Sequence, residues 1–308
     1  MLNLDDILNN VRDTRENRVK QETQDSYKAD ERMLVPKIGN TYYFRLLSEP
    51  PNKEGKVNVF QSWKEYVFQS RTTDQYIYCG RALQEAVPSE AKNDLIRNAQ
   101  FDAYIKAKKD GDEELKKAAN TLWGKSKEVV NIYLHNVVGD DEESKAKIGT
   151  VLVYKYNATI DKDGQPRGDV YIALTEGLTG TKSKNIGKKA FDLSENGRSF
   201  CLKVMSQPMP GNKVVPKYSA SFEDAEDIGV KKADEEKIRN SAHILAEFVP
   251  EVKPQVEIQK LLDEHWYGKT ASPEDDVDTS TNVPAEDDDD EIPMGDETDD
   301  LDDLLKDD

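Results

Sequence analysis

The sequence predicts a mainly β chain of the α+β class: a small barrel with an inserted helical lobe, C-terminal helices and a disordered acidic tail. Three observations carry the prediction. Short aromatic and β-branched runs recur between turn signals, with no regular crossover helices to make a parallel sheet. One long polar stretch with helical character interrupts them. Beyond residue 268 the composition collapses to Asp, Glu, Thr, Pro and Ser, which cannot bury a core.

Residues 2–27 have helical spacing, with Leu4, Ile7, Leu8 and Val11 on one stripe and Arg12, Arg15 and Arg18 on another. The next segment turns β-like in "TYYFRLL" (41–47) and "VNVFQSWKEYVF" (57–68), separated by the loop "SEPPNKEGK". Residues of about 88–122 read as one or two surface helices broken near Gly111. Strands resume at "EVVNIYLHNVV", "TVLVYKYNATI", "DVYIALT" and "RSFCLKVMS". "DKDGQPRG" between the second and third signals a hairpin. Two helical stretches follow, near 231–248 and 254–266. The expected organisation is an arm at 1–27, a core at 28–268 and a tail at 269–308.

Charge follows the same division. Residues 271–308 hold 18 acidic residues and one lysine, a net charge of −17. Residues 28–218 hold 31 basic and 25 acidic residues, a net charge of +6. A mildly basic body followed by a polyanion points to electrostatic partners. Two cysteines, Cys79 and Cys201, make no disulfide framework and fit a reducing compartment. "MLNLDDILNN" lacks the basic and apolar regions of a secretory signal, and no apolar run approaches membrane-spanning length. A soluble intracellular protein without a membrane partner is expected.

The motifs do not point to an enzyme. His135, His243 and His265 sit in no H-E-x-x-H pattern and at no zinc-finger spacing. "TGTKSKNIGKK" fails the G-x-x-x-x-G-K-[ST] spacing and reads as a mobile loop or a non-specific phosphate contact. "DKDG" has too few ligands for a calcium loop.

The body instead interleaves tyrosine with cations on expected strands: Tyr76, Tyr78 and Arg81; Tyr154, Lys155 and Tyr156; Lys217 and Tyr218. Arg45, Lys125, Lys127 and Lys203 add charge. Half of each alternating set is equally readable as core. Yet Tyr76 and Tyr78 share one strand face, as do Tyr154 and Tyr156. Rings on one face with cations nearby suit single-stranded nucleic acid, since bases stack for about 1–3 kcal/mol each while cations track the backbone. A tethered polyanion, at an effective concentration of up to about millimolar, competes for such a groove. Leu301, Leu304 and Leu305 recur at i, i+3, i+4 inside the tail, a stripe suited to a partner surface. "NLDDIL" (3–8) echoes "DLDDLL" (300–305).

These segments resemble, in order, the single-stranded DNA-binding (helix-destabilising) protein of T-even-type bacteriophages. "GNTYYFRLLSEP" resembles that family's first core strand, "YIYC" the approach to its zinc cysteines, and "NIYLHNVV" with "GTVLVYKYN" its central hairpin. "GRSFCLKV" with "KYSASF" resembles its last core strand, and "VEIQKLLDEHWYG" its closing helix. The terminal "DDLDDLLKDD" is the most specific match. The resemblance implies an OB-fold core and cooperative, sequence-independent coating of single-stranded DNA. It implies monomer–monomer contacts through the arm that carries Arg12, Arg15 and Arg18. It implies recruitment of phage replication, recombination and repair proteins through the tail, in the cytoplasm of an infected bacterial host. Two departures stand out. Only Cys79 falls where the family places zinc ligands, so the zinc is expected to be absent and no cofactor is expected. The family's arm carries a compact basic-plus-hydroxyl cluster, matched here only by "RDTRENRVK" with Asp13 and Glu16 inside it, and a second such cluster in the family core survives only partly, as Lys125, Ser126 and Lys127.

The expected function is therefore non-enzymatic coating of single-stranded DNA. The nucleic-acid contacts are Arg45, Tyr76, Tyr78, Arg81, Lys125, Lys127, Tyr154, Lys155, Tyr156, Lys203, Lys217 and Tyr218. The alternative is an acidic interaction or chaperone protein that binds basic partners and never touches DNA.

Overall fold

The computed structural model describes residues 30–268, apart from 52, 54, 74, 162, 163 and 210–212. The expected arm and tail, with Arg12, Arg15, Arg18, Leu301, Leu304 and Leu305, lie outside the described residues. In chain order the strands are β1 (Met33–Leu34), β2 (Thr41–Leu47), β3 (Phe60–Gln69), β4 (Tyr76–Arg81) and β5 (Gly124–Val138). They continue as β6 (Thr150–Asn157), β7 (Thr159–Ile160), β8 (Pro166–Arg167), β9 (Arg198–Met209) and β10 (Lys213–Ala225). The longer helices are α1 (Leu95–Asp110), α2 (Glu113–Thr121), α3 (Asp169–Leu178), α4 (Lys232–Asn240) and α5 (Gln255–His265). The fold is mixed α/β with a large multi-strand sheet, and among the described residues its pairing path does not close into a barrel.

The chain divides into two compact units. Described residues 30–59, 130–155 and 186–244 form the first, and 60–129, 156–185 and 245–268 the second.

In the first unit the strand order is β1-β6-β5-β2-β9-β10. β1 runs parallel to β6, whereas β2 pairs antiparallel with β5 and β9, and β9 antiparallel with β10. Alternation along β2 sends Tyr42, Phe44 and Leu46 to one face, all fully buried. Phe44 meets Phe200 at 5.3 Å and Tyr154 at 5.8 Å between ring centroids, and Phe200 meets Phe222 edge-on at 5.0 Å. Tyr42 reaches past this aromatic core to donate to Asp141 at 2.8 Å, and burial pushes its hydroxyl up to about 12. Gly197 is dictated by close approach: a Cβ there would stand 1.9 Å from the Asp192 carbonyl oxygen.

In the second unit β3 pairs with β4 and the helices cover one face of the pair. Ala99, Ala103 and Ala107 repeat every four residues along α1 and pack with Tyr66, Phe68, Cys79, Leu262 and Trp266. Small residues allow that close approach. Asp94 caps α1 by accepting from Arg97 N at 3.2 Å, and Asp112 caps α2 by accepting from Leu115 N at 2.9 Å. Gly111 (φ 67°) ends α1 in the left-handed region, at the expected break. "DKDGQPRG" forms the expected hairpin, β7 against β8.

One element departs from expectation. "DVYIALT" is read as a strand from its β-branched and aromatic residues, but it is helix α3. Its buried positions, Val170, Leu174 and Gly177, fall at steps of four and three, so the burial period overrides the propensity. Among the described residues no helix is long and apolar enough to cross a membrane.

Candidate nucleic-acid interface

Each unit presents one sheet face that combines tyrosine with cations. In the second unit the face belongs to β4, which pairs with β3 alone apart from an isolated bridge between Gly80 and Val252. Tyr76 opposes Gln69, Tyr78 opposes Val67 and Arg81 opposes Glu65. A bulge accounts for that phase. Tyr66 pairs with Gly80 and Val67 with Tyr78, so Cys79 is the extra residue. Plain alternation would turn Arg81 away from the tyrosines, and the bulge returns it to their face. The rings are 69% (Tyr76) and 38% (Tyr78) exposed. Cys79 turns into the opposite core, where burial pushes its thiol up to about 12. Among the described residues no group of three or more His, Cys, Asp or Glu is placed to hold a metal ion.

In the first unit the face spans β2, β9 and β10. The register sets Tyr43, Cys201 and Ser221 in one row, Thr41, Lys203 and Ser219 in the next, and Met205 beside Lys217 beyond. Lys203 and Lys217 are therefore diagonal neighbours on one face, and both are exposed. Neither lysine takes part in an ion pair among the described residues. Tyr43 was not anticipated from sequence, because "TYYF" gives no sign of which of two adjacent tyrosines faces the core.

A second bulge supports this face. Tyr43 opposes Asn136 and Phe44 opposes Leu134, which leaves His135 as the extra residue. Its ring lies 6.4 Å from that of Tyr43. His135 Nε2 meets Ser199 Oγ at 2.7 Å, and Ser199 Oγ donates to Glu226 Oε1 at 2.6 Å. The single hydroxyl proton of Ser199 goes to Glu226, so its lone pair takes the His135 N–H. That order differs from a nucleophilic triad, in which the imidazole accepts the serine proton. Burial pulls His135 down to about 4, against the nearby Glu226 carboxylate that raises it.

A pH dependence follows. Unfolded His135 titrates near 6.5, so between about 4 and 6.5 the unfolded chain binds the extra proton and stability falls with pH. The contribution is complete above pH 6.5, and about 2–3 kcal/mol of it is gone by pH 4.5. Asp141 and Asp192, whose carboxyls lie below 3.8, lose their contribution only at lower pH. Urea unfolding at pH 7 and pH 4.5 should show this loss in the natural chain and a much smaller one in His135→Gln.

The remaining expected contacts are distributed unevenly. Lys125 and Lys155 are exposed. Lys127 is engaged within its unit, donating to Asn157 Oδ1 at 2.6 Å and standing 3.4 Å from Glu65. Tyr218 opposes Val204 on the face away from Lys217 and is half-buried. Three expectations need correction. Tyr154 is 3% exposed within the aromatic core and presents no face to a base. Tyr156 is 6% exposed, donates to Glu128 and packs on Tyr171 at 6.4 Å. Arg45 is fully buried, with Nη2 donating to the Glu226 carbonyl at 2.8 Å, so it cannot track a phosphate. In the "TGTKSKNIGKK" loop Lys182 and Lys184 are exposed on turns of the second unit, and Lys188 and Lys189 on a short helical turn of the first.

No protein family model and no curated protein sequence matches this chain.

Proposed function

We propose that this protein binds single-stranded nucleic acid without regard to sequence, each unit contributing one tyrosine-and-cation face. The observation that carries the reading is the alignment of Tyr76, Tyr78 and Arg81 on one face of β4. Exposed rings offer stacking to any base, and the guanidinium adds charge for the backbone. Lys203 and Lys217 supply the corresponding charge in the first unit. The contacts in this reading are Tyr43, Tyr76, Tyr78, Arg81, Lys125, Lys155, Lys203 and Lys217.

The finer reading follows the bacteriophage resemblance. The protein coats DNA single strands in viral replication, recombination and repair, without enzymatic activity or a zinc ion. Copies contact one another along the strand, and the acidic tail recruits replication proteins. The first unit is of OB-fold type. Its long antiparallel strands support that assignment, and a partly open barrel requires no closing pair.

The test is salt dependence. Binding of a short single-stranded oligonucleotide should weaken linearly in a log–log plot against salt, by about 0.7 per phosphate neutralised. Lys203→Ala and Lys217→Ala should each flatten that slope by about 0.7 and weaken every sequence alike. Unchanged slopes in both variants would remove the first unit's face from the interface.

A further inference from the structure

Helix α1 carries an apolar stripe on the side turned away from its core. Ile96, Ala99, Ala103 and Ala107 face inward. Phe101 and Ile105, one turn apart on the solvent side, remain 54% and 50% exposed. Arg97 lies one turn before Phe101, and Lys108 and Lys109 one turn after Ile105. None of these three cations takes part in an ion pair among the described residues. Single exposed apolar residues are ordinary. Two bulky ones at i, i+4, bracketed at both ends by cations, make a site for a short segment that is apolar and acidic together.

The chain contains such a segment. "LDDLL" (301–305) sets Leu301, Leu304 and Leu305 at i, i+3, i+4 with Asp302 and Asp303 between them, and Asp300 and Asp307 flank it. We propose that this tail motif docks on α1 of its own chain, its leucines against Phe101 and Ile105 and its aspartates against Arg97, Lys108 and Lys109. Position favours this occupant. The tail follows α5, which belongs to the same unit as α1 and is tied to it where Leu95 N donates to Gln255 Oε1 at 3.3 Å. Thirty-two residues, 269 to 300, separate α5 from the motif, far more chain than is needed to return along α1, which is about 24 Å long. Two half-exposed side chains support only weak binding. Tethering at about millimolar effective concentration makes a Kd of about 1 mM sufficient. The docking also accounts for the echo at the other end. "LDDIL" (4–8) has the same pattern and is the competitor that a neighbouring copy would bring to this helix. The proposal stands whether or not the chain binds nucleic acid.

Zero-length carbodiimide cross-linking of the full chain at low micromolar concentration, followed by peptide mapping, tests it. The expected products join carboxylates of 296–308 to Lys106, Lys108 or Lys109, with a yield independent of protein concentration. Leu301→Ser/Leu304→Ser/Leu305→Ser and Phe101→Ser/Ile105→Ser leave the charge unchanged, and each should cut that yield about tenfold. Three results would overturn the proposal: no cross-link to α1, an undiminished yield in the leucine variant, or α1 lysines joined to Asp5 or Asp6 instead.

Discussion

Replacing Tyr76 and Tyr78 together by alanine should weaken single-strand binding by about 2–6 kcal/mol, with little change in melting temperature. The two effects separate because the rings stand on an edge strand and are 69% and 38% exposed. They contribute little to the core and can offer two stacking surfaces to a strand. Tyr154 provides the contrast. Tyr154→Ala should cost about 3–5 kcal/mol of stability through loss of its packing on Phe44, and should leave binding by the folded fraction intact. Fluorescence anisotropy of a labelled oligonucleotide, with a thermal melt of each variant, measures both. Binding by Tyr76→Ala/Tyr78→Ala equal to that of the natural chain would remove β4 from the interface.

Arg45→Ala should destabilise the chain by about 3 kcal/mol or more, whereas Arg45→Met should be close to neutral or stabilising. Arg45 is fully buried, and its Nε and Nη1 have no hydrogen-bond partner among the described residues. Burial lowers its pKa, and the Glu226 and Asp192 charges only partly offset that cost. Alanine removes the packing and leaves a cavity. Methionine keeps most of the volume and removes the desolvation penalty. Denaturant unfolding of the two variants separates these contributions. The salt slope of binding should be unchanged in Arg45→Met, because the guanidinium reaches no phosphate. A slope reduced by about 0.7 would return Arg45 to the interface.

Local chemistry was legible in the sequence. Gly111 marked the break between α1 and α2, the turn "DKDG" marked the β7–β8 hairpin, and "TYYFRLL" marked β2. What remained hidden was which face of a strand is covered. Tyr76 with Tyr78 and Tyr154 with Tyr156 have the same i, i+2 spacing beside a cation, yet one pair is exposed and the other is core. Only packing from distant segments distinguishes them. The bulges at Cys79 and His135 were equally hidden, because register depends on the partner strand. One of them carries Arg81 onto the tyrosine face, and the other turns His135 toward Ser199. Helix α3 was misread because seven residues of mixed propensity do not show a period until their burial is known.

The most direct measurement is a titration of a short single-stranded oligonucleotide into the full chain and into the chain lacking residues 271–308, followed by quenching of tyrosine and tryptophan fluorescence at low and moderate salt. Quenching is expected in both forms, with tighter binding without the tail because a polyanion no longer competes for the cationic faces, and weaker binding as salt rises. No quenching by either form would contradict it, and would leave the acidic interaction protein as the reading to pursue.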